Sequence, residues 1–439
     1  MRGLLLRSVR LMRPAEGSAL DAVDLLLQDG RVEEMGSGIV APAGTVVVER
    51  EGCVVAPAFL DLHTHLREPG QPWKERIATA TAAAAAGGFG AVCAMANLRP
   101  PVDNVSRLRE CLAKNRSWER VPVLQFAAVS EQLAGQRMAP LVELAAAGAA
   151  GFSDDGRNAL GPELLRQALE RAGEAGRLVA IHPEDEGVLA AANPWGGEDP
   201  TSWLLRPREA EVSAVRSALD ALRSSGQGRL HLQHLSTSGA VELVRDAKRE
   251  GLAVTAEVTA HHLALEGPLT DPEARDRELT CNPPLRGDED RSALWDGLRD
   301  GTIDALASDH APHESPSDPL QRRSPGFSGV QAQLSAVLSD PRGGPLLERV
   351  VEALTARPLA ILGPLSGTLP EPSVREGQPA HLTVFDPEGV WRPEPGSWLS
   401  LGTNTPFWER PLRGLVLATF SRGRVAFLRR ELGWEAELA

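Results

Sequence analysis

The chain contains no tyrosine, and among its 46 lysines and arginines only Lys74, Lys114 and Lys248 are lysines. Each shortage removes chemistry. No phenol is present to act as an acid or an oxyanion donor, and any lysine-dependent mechanism must run through one of three named side chains. The four cysteines, Cys53, Cys93, Cys111 and Cys281, are far apart and form no CxxC pair. Neither a disulfide framework nor a zinc knuckle is expected, and reduced thiols predict a cytoplasmic protein. No stretch approaches the ~18 apolar residues a membrane span needs. Residues 1–7 are too short an apolar run, and too interrupted by arginine, for a secretory leader. No run of five like charges forms an interaction tail. The formal charge of −13 argues against nucleic acid or an anionic membrane as the main partner.

A chain of 439 residues, 42% of them apolar, is long enough for a large barrel with an accessory domain. Short β-rich segments at 4–11, 22–28 and 46–48 are separated by Gly, Pro and Asp turns, and similar segments recur at 381–385, 414–420 and 424–427. Between these ends the texture changes. Apolar runs at 54–62, 90–95, 121–129, 147–152, 178–181, 230–232, 253–258 and 303–307 alternate with helical patterns such as 76–86, 162–175, 208–222, 240–249 and 288–299. Eight such alternations predict a (β/α)8 barrel, with a doubly wound sheet as the alternative that periodicity alone leaves open. Residues 1–54 and 366–439 are expected to form one small β-sandwich domain, and 55–365 the barrel. The Pro- and Ser-rich stretch 313–326 reads as a long loop of the kind that forms lids.

The apolar runs end in chemistry-bearing residues. Asp61-Leu62-His63-Thr64-His65 closes the first, and residues two apart on a strand face the same side, so His63 and His65 converge as a chelating pair must. Later runs end in Ser153-Asp154-Asp155-Gly156, His182-Pro183-Glu184, His231-Leu232-Gln233-His234 and Ser308-Asp309-His310. His231 and His234 are three apart, so only one of them is expected to look inward. Asp309 at its strand end suggests a ligand or a general base. With about 35 residues per βα step, these ends gather on one face of a barrel, where active sites are built. Mixed His and Asp donors suit zinc or a similar divalent ion. Arg67, Asn97 and Asn282 lie on the same expected rim. The adjacent His261 and His262 point apart on a strand and read as structural. Gly87-Gly88-Phe89-Gly90 reads as a helix-end turn, since it lacks a phosphate loop's spacing and lysine.

Taken together, His63-Thr64-His65-Leu66-Arg67-Glu68-Pro69-Gly70, the Asp154-Asp155-Gly156 motif, His234-Leu235-Ser236-Thr237, 255–263, Asn282-Pro283-Pro284-Leu285-Arg286 and Ser308-Asp309-His310-Ala311-Pro312-His313 resemble the amidohydrolase superfamily, and within it the bacterial dihydroorotases. The resemblance spans nearly the whole chain. It implies a metal-bearing (β/α)8 barrel and two zinc ions per subunit. His63, His65 and Asp309 would hold one ion, His182 and His234 the second, and Asp155 would bridge them. It also implies that Arg67, Asn97, Asn282, His313, Pro325 and Gly326 hold the substrate and that Asp309 moves the proton. The implied reaction is reversible closure of N-carbamoyl-L-aspartate to dihydroorotate, a step of pyrimidine synthesis. Many superfamily members bridge their metals with a carboxylated lysine, and hydantoinases also use a tyrosine. None of the three lysines here ends a strand. A hydantoinase- or allantoinase-like cyclic amidase is the alternative enzyme, and a non-catalytic partner of aspartate transcarbamoylase the alternative without activity. The resemblance leaves open a homodimer and a complex of an active chain with that transcarbamoylase. The chain departs from the family at Ala96, Leu98, Pro183 and Gly329-Val330-Gln331-Ala332, none of them an expected metal ligand.

Overall fold

The structure is a computed structural model that describes residues 3–14, 18–156, 160–192, 206–267, 279–314, 324–363 and 368–429. Both ends of the described chain contribute to one sheet. Its strands are β1 (Leu4–Arg13), β2 (Ser18–Gln28), β3 (Arg31–Gly36), β4 (Val46–Glu49), β5 (Val54–Pro57), β14 (Leu382–Trp391), β15 (Leu412–Ser421) and β16 (Arg424–Leu428). The hydrogen-bonded order is β16-β15-β14-β5-β1-β2-β3, with β4 beside the first half of β1. β5 joins the two termini, pairing parallel with β1 and antiparallel with β14. The expected link between the chain ends is therefore one continuous eight-stranded sheet with its own apolar core around Leu4, Leu6, Leu382 and Phe420. β3 was not expected. Its Arg-Val-Glu-Glu-Met-Gly sequence carries three charges in six residues and buries only Val32 among them, too little apolar alternation to register as a strand.

The barrel strands are β6 (Phe59–Thr64), β7 (Phe89–Ala94), β8 (Val123–Gln125), β9 (Phe152–Ser153), β10 (Val179–Ile181), β11 (Leu230–Leu232), β12 (Val254–Thr259) and β13 (Ala305–Ala307). All pair parallel within two runs, β6-β7-β8 and β9 through β13. Parallel bridges Ala127–Phe152 and Thr64–His310 join the runs into a closed barrel, which excludes the doubly wound sheet. The apolar run 54–62 is divided: β5 lies in the terminal sheet and β6 opens the barrel, with Ala58 between them. Continuous burial on both segments hides that change of sheet from a hydrophobicity reading. The expected domain limit near 365 lies outside the described residues.

Helices expected at 76–86, 162–175, 208–222, 240–249 and 288–299 appear as Ile77–Ala86, Pro162–Glu174, Arg208–Ser225, Ser238–Arg249 and Asp288–Asp300. Seven of the ten residues of Ile77–Ala86 are alanine, and seven of its residues are buried. Small side chains let it lie close to the terminal sheet, where Thr419 Oγ1 donates to Ala85 O at 2.7 Å. The glycines after it serve the same approach. A Cβ on Gly88 would lie 2.6 Å from the Phe59 ring, and one on Gly90 2.5 Å from Ala58 Cβ. Among the described residues no helix is long and apolar enough to cross a membrane.

Candidate metal centre

The C-terminal ends of the barrel strands converge as parallel βα topology requires. Asp61 on β6 sets the register there. Its Oδ1 accepts from the backbone N–H groups of His63 (3.1 Å) and Ser308 (3.0 Å), and its Oδ2 from the Ser308 hydroxyl. The His65 amide donates to His310 O at 2.9 Å. These bonds seal the first strand to the last and bring His63 and His65 beside Asp309.

Around Asp155 the geometry divides in two. Its Oδ2 lies 3.4 Å from His63 Nε2 and 3.3 Å from His65 Nε2. Its Oδ1 lies 3.7 Å from His182 Nδ1 and 3.8 Å from His234 Nε2. Asp309 Oδ1 stands 3.1 Å from His65 Nε2 and 3.5 Å from His63 Nε2. Two overlapping trios, His63-His65-Asp309 and His63-Asp155-His234, have donor atoms within 4.8 Å of one another, all buried. Asp154, the first of the adjacent pair, is occupied elsewhere: it accepts from the amides of Val129 (2.7 Å) and Ser130 (3.1 Å) and from the Ser130 hydroxyl.

Each of three histidines has its far nitrogen tied to an acceptor. His63 Nδ1 meets Glu257 Oε1 at 2.8 Å, His65 Nδ1 meets Asn97 Oδ1 at 2.9 Å, and His182 Nε2 meets Glu184 Oε2 at 2.8 Å. An acceptor at one ring nitrogen keeps a proton there and leaves the other lone pair free, the arrangement a metal-ligating imidazole needs. Those free lone pairs all face the Asp155 side. Asp155 Oδ1 and His234 Nδ1 are buried without a hydrogen-bond partner. Buried polar atoms are seldom left so, and Asp155 Oδ1 faces His182 Nδ1 and His234 Nε2 across gaps longer than a hydrogen bond, as donors around a shared cation would.

The charges point the same way. Burial opposes a charged ring, yet Asp155 and Asp309 hold His63 well above its ordinary pKa. His182 is raised to about 9 against burial by Asp155 and Glu184. Burial would raise both central carboxyls, but the surrounding histidines hold Asp155 and Asp309 well below the usual range. The buried carboxylates thus demand positive charge, which protons supply here and a divalent cation would supply better.

Above the centre lies a cavity of about 230 Å³ lined by His65, Arg67, Asn97, Asp155, His182, His234, Asn282, Asp309, His313, Pro325 and Gly326, with Gly156, Ala311 and Ser324. Every expected site residue except the deeply buried His63 reaches it. Asn282 sits beside His182 (Nδ2 to Nε2, 3.2 Å) and accepts from Arg206, which also pairs with Glu184. Arg67 Nε donates to Pro312 O at 3.3 Å. Burial lowers Arg67 to about 10, which still leaves it charged at neutral pH. Gly326 has φ +131°, and a Cβ there would lie 2.6 Å from Ala311 Cβ. Arg67, His234 and Asp309 adopt left-handed φ values of +60°, +32° and +42°, a conformation costing ~1–3 kcal/mol at each non-glycine residue. Within the candidate lid 313–326, residues 315–323 lie outside the described residues.

Two expectations need correction. Both His231 and His234 turn inward. His231 lies within β11, where its Nε2 meets Glu257 Oε2 at 3.0 Å, while His234 stands beyond the strand end. Its positive φ breaks the alternation on which the opposite-face argument depends. His261 and His262 also do not simply point apart, since they cluster with Cys281. Both nitrogens of His262 are engaged, by Thr259 Oγ1 (2.7 Å) and Pro283 O (3.1 Å), and the Cys281 thiol donates to Pro283 O. His262 and Cys281 therefore form a hydrogen-bonded packing unit, beside which His261 Nε2 is buried without a hydrogen-bond partner. Sequence reasoning missed the supporting partners Glu257, Glu184, Arg206 and Asn404. Glu257 carried one usable signal, a lone carboxylate inside the apolar run 253–258.

The profile of the amidohydrolase family matches residues 54–426. A dihydroorotase of Anaeromyxobacter dehalogenans (strain 2CP-C) is 38% identical over 428 residues, 96% of this chain and 97% of the relative. One from Pelobacter propionicus is 36% identical over 433 residues, covering 97% and 100% of the two chains. Among solved structures, the L-hydantoinase of Arthrobacter aurescens superposes with TM-score 0.83 at 23% identity, covering 97% of this chain and 96% of its own. The dihydropyrimidinase of Brevibacillus agri gives 0.82 at 22%, covering 98% and 95%. Those structural likenesses establish the same barrel-plus-sheet fold. The chain belongs to the amidohydrolase family and, within it, groups with the dihydroorotases.

Proposed function

We propose that the protein is a dihydroorotase that opens and closes the ring amide between dihydroorotate and N-carbamoyl-L-aspartate, and that His63, His65, Asp155, His182, His234 and Asp309 would together hold two zinc ions. The observation that carries this reading is the division of Asp155, one oxygen toward His63 and His65 and the other toward His182 and His234. His63, His65 and Asp309 would hold one ion, and His182 and His234 the other. When bound, such ions supply a water acidic enough to ionise near neutral pH and polarise the ring carbonyl.

The chain's own residues do the rest. Arg67 grips the ring carboxylate with two parallel charge-assisted bonds. Asn97, Asn282 and His313 complete the polar wall, and Pro325 and Gly326 the backbone edge, of the cavity that orients the ring. Asp309 accepts the proton of the attacking water on a carboxylate oxygen and delivers it to the departing ring nitrogen. In the synthetic direction the same proton returns. The four cysteines are buried free thiols, which supports a cytoplasmic enzyme.

A hydantoinase-like activity is disfavoured because β9 is followed by Asp154-Asp155 instead of a lysine and the chain has no tyrosine. Metal analysis of the purified protein, with turnover of dihydroorotate, hydantoin and allantoin compared, tests the reading. Two equivalents of zinc and a clear preference for dihydroorotate are expected. Faster turnover of hydantoin or allantoin, or a single metal per chain, would overturn it.

A further inference from the structure

Lys74, one of only three lysines, has no part in the reading above, yet it reaches the cavity wall. It lies in the turn before helix Ile77–Ala86, and its Nζ is 3.0 Å from His313 Nδ1. An ammonium has three N–H donors and no lone pair, so Nδ1 must accept. A neutral imidazole that accepts at Nδ1 carries its proton at Nε2. His313 Nε2 is 3.4 Å from Arg67 Nη2. With the proton on Nε2 these are two donors side by side, and although the Pro325 carbonyl is a backbone acceptor for the ring, a further acceptor between or above them would join the two. A carboxylate is the acceptor that suits both.

The surroundings hold this arrangement in place. The His313 amide donates to Asn404 Oδ1 at 2.8 Å, and Asn404 Nδ2 donates to Ala311 O (3.0 Å) and Gly326 O (2.7 Å), fixing both ends of the loop that carries the ring. Burial, then Arg67 and Lys74, keep the His313 ring neutral by pushing its pKa far below the ordinary value. Burial, with the cations Arg67 and Arg99, lowers the Lys74 pKa from its ordinary value, and Glu314 opposes that shift.

We propose that Lys74 is a positioning residue: by donating to Nδ1 it fixes His313 as the Nε2–H tautomer, so that His313 and Arg67 present paired donors to one substrate carboxylate. This rests on the dihydroorotase reading for the identity of the carboxylate, but the tautomer itself does not.

The test therefore has two arms. Nitrogen-15 spectra of histidine-labelled, metal-loaded protein without substrate, assigned with His313→Ala, should show His313 neutral, protonated at Nε2 and unprotonated at Nδ1. The Nδ1 signal should move in Lys74→Met as its donor is lost. A proton on Nδ1 in the wild type, or an Nδ1 signal unchanged in Lys74→Met, would overturn the proposal whatever the enzyme turns over. Absence of dihydroorotate turnover alongside the expected spectra would instead count against the substrate reading alone. The second arm is kinetic. Lys74→Met should raise KM for dihydroorotate about tenfold, the scale of one hydrogen bond to a charged group, with kcat changed less than about twofold. In a His313→Ala background it should add less than about twofold. Equal effects in both backgrounds would mean that Lys74 acts independently of His313. Lys74→Arg keeps a cationic donor and should restore most of the KM, and failure to do so also counts against the proposal.

Discussion

Removing Glu257 should weaken the metal centre although this side chain touches His63 on the ring nitrogen remote from Asp155. The carboxylate lies inside the barrel on β12, with one oxygen 2.8 Å from His63 Nδ1 and the other 3.0 Å from His231 Nε2. In Glu257→Ala two buried ring N–H groups lose their acceptor, at ~1–3 kcal/mol each, so unfolding free energy should fall by roughly 2–6 kcal/mol. Glu257→Gln is gentler: its amide oxygen still accepts from one ring, but its NH2 opposes the other, so about half of that loss is expected. The effect on the metal is separate. Once Glu257 no longer holds the proton on Nδ1, His63 is free to change tautomer or tilt, and affinity should fall ~10–100-fold. Metal retention against a competing chelator measures the second quantity, and urea unfolding of the same samples the first. If Glu257→Ala binds metal and unfolds like the wild type, Glu257 does not orient His63 and the tautomer argument for the centre fails.

Three further outcomes follow from the same geometry. Asp309→Ala should abolish turnover while much of the metal stays bound through the four histidines and Asp155; near-normal kcat would remove Asp309 as the proton carrier. Arg67→Lys should raise KM for dihydroorotate ~10–100-fold with kcat little changed, because a point ammonium cannot form the paired bonds; an unchanged KM would place the carboxylate elsewhere. His381, at the contact between terminal sheet and barrel, is pushed down to about 4 by burial and then by Arg422. Between the ordinary value of about 6.5 and pH 4 only the unfolded chain takes up its proton, so stability is lost as pH falls, by ~3 kcal/mol over that window. Urea unfolding at pH 7.5 and pH 4.5 should therefore shift the balance between wild type and His381→Gln toward the variant at the lower pH, and an unchanged difference would refute the assignment.

What the sequence determined by itself is the set of chemical groups and their approximate place. A two-residue spacing at a strand end puts His63 and His65 on one face whatever surrounds them, because strand side chains alternate. Eight apolar runs alternating with helical patterns admit few architectures other than a barrel, and in a barrel strand ends share a rim. The lack of tyrosine and the misplaced lysines likewise excluded one version of the site before any coordinates. What only the tertiary structure decided is how those groups are held. His63 and Glu257 meet across the barrel, Asp61 and Ser308 across its seam, and Lys74 and His313 across its rim. Each pair is set by barrel closure, which brings together positions that no local period connects. The same reason explains the errors. His234 escapes the strand alternation through one left-handed residue, and the run 54–62 changes sheet at Ala58 while remaining buried throughout. Local patterns report which side of a strand is apolar; which sheet the strand joins, and which ring nitrogen keeps its proton, depend on partners far away in the chain.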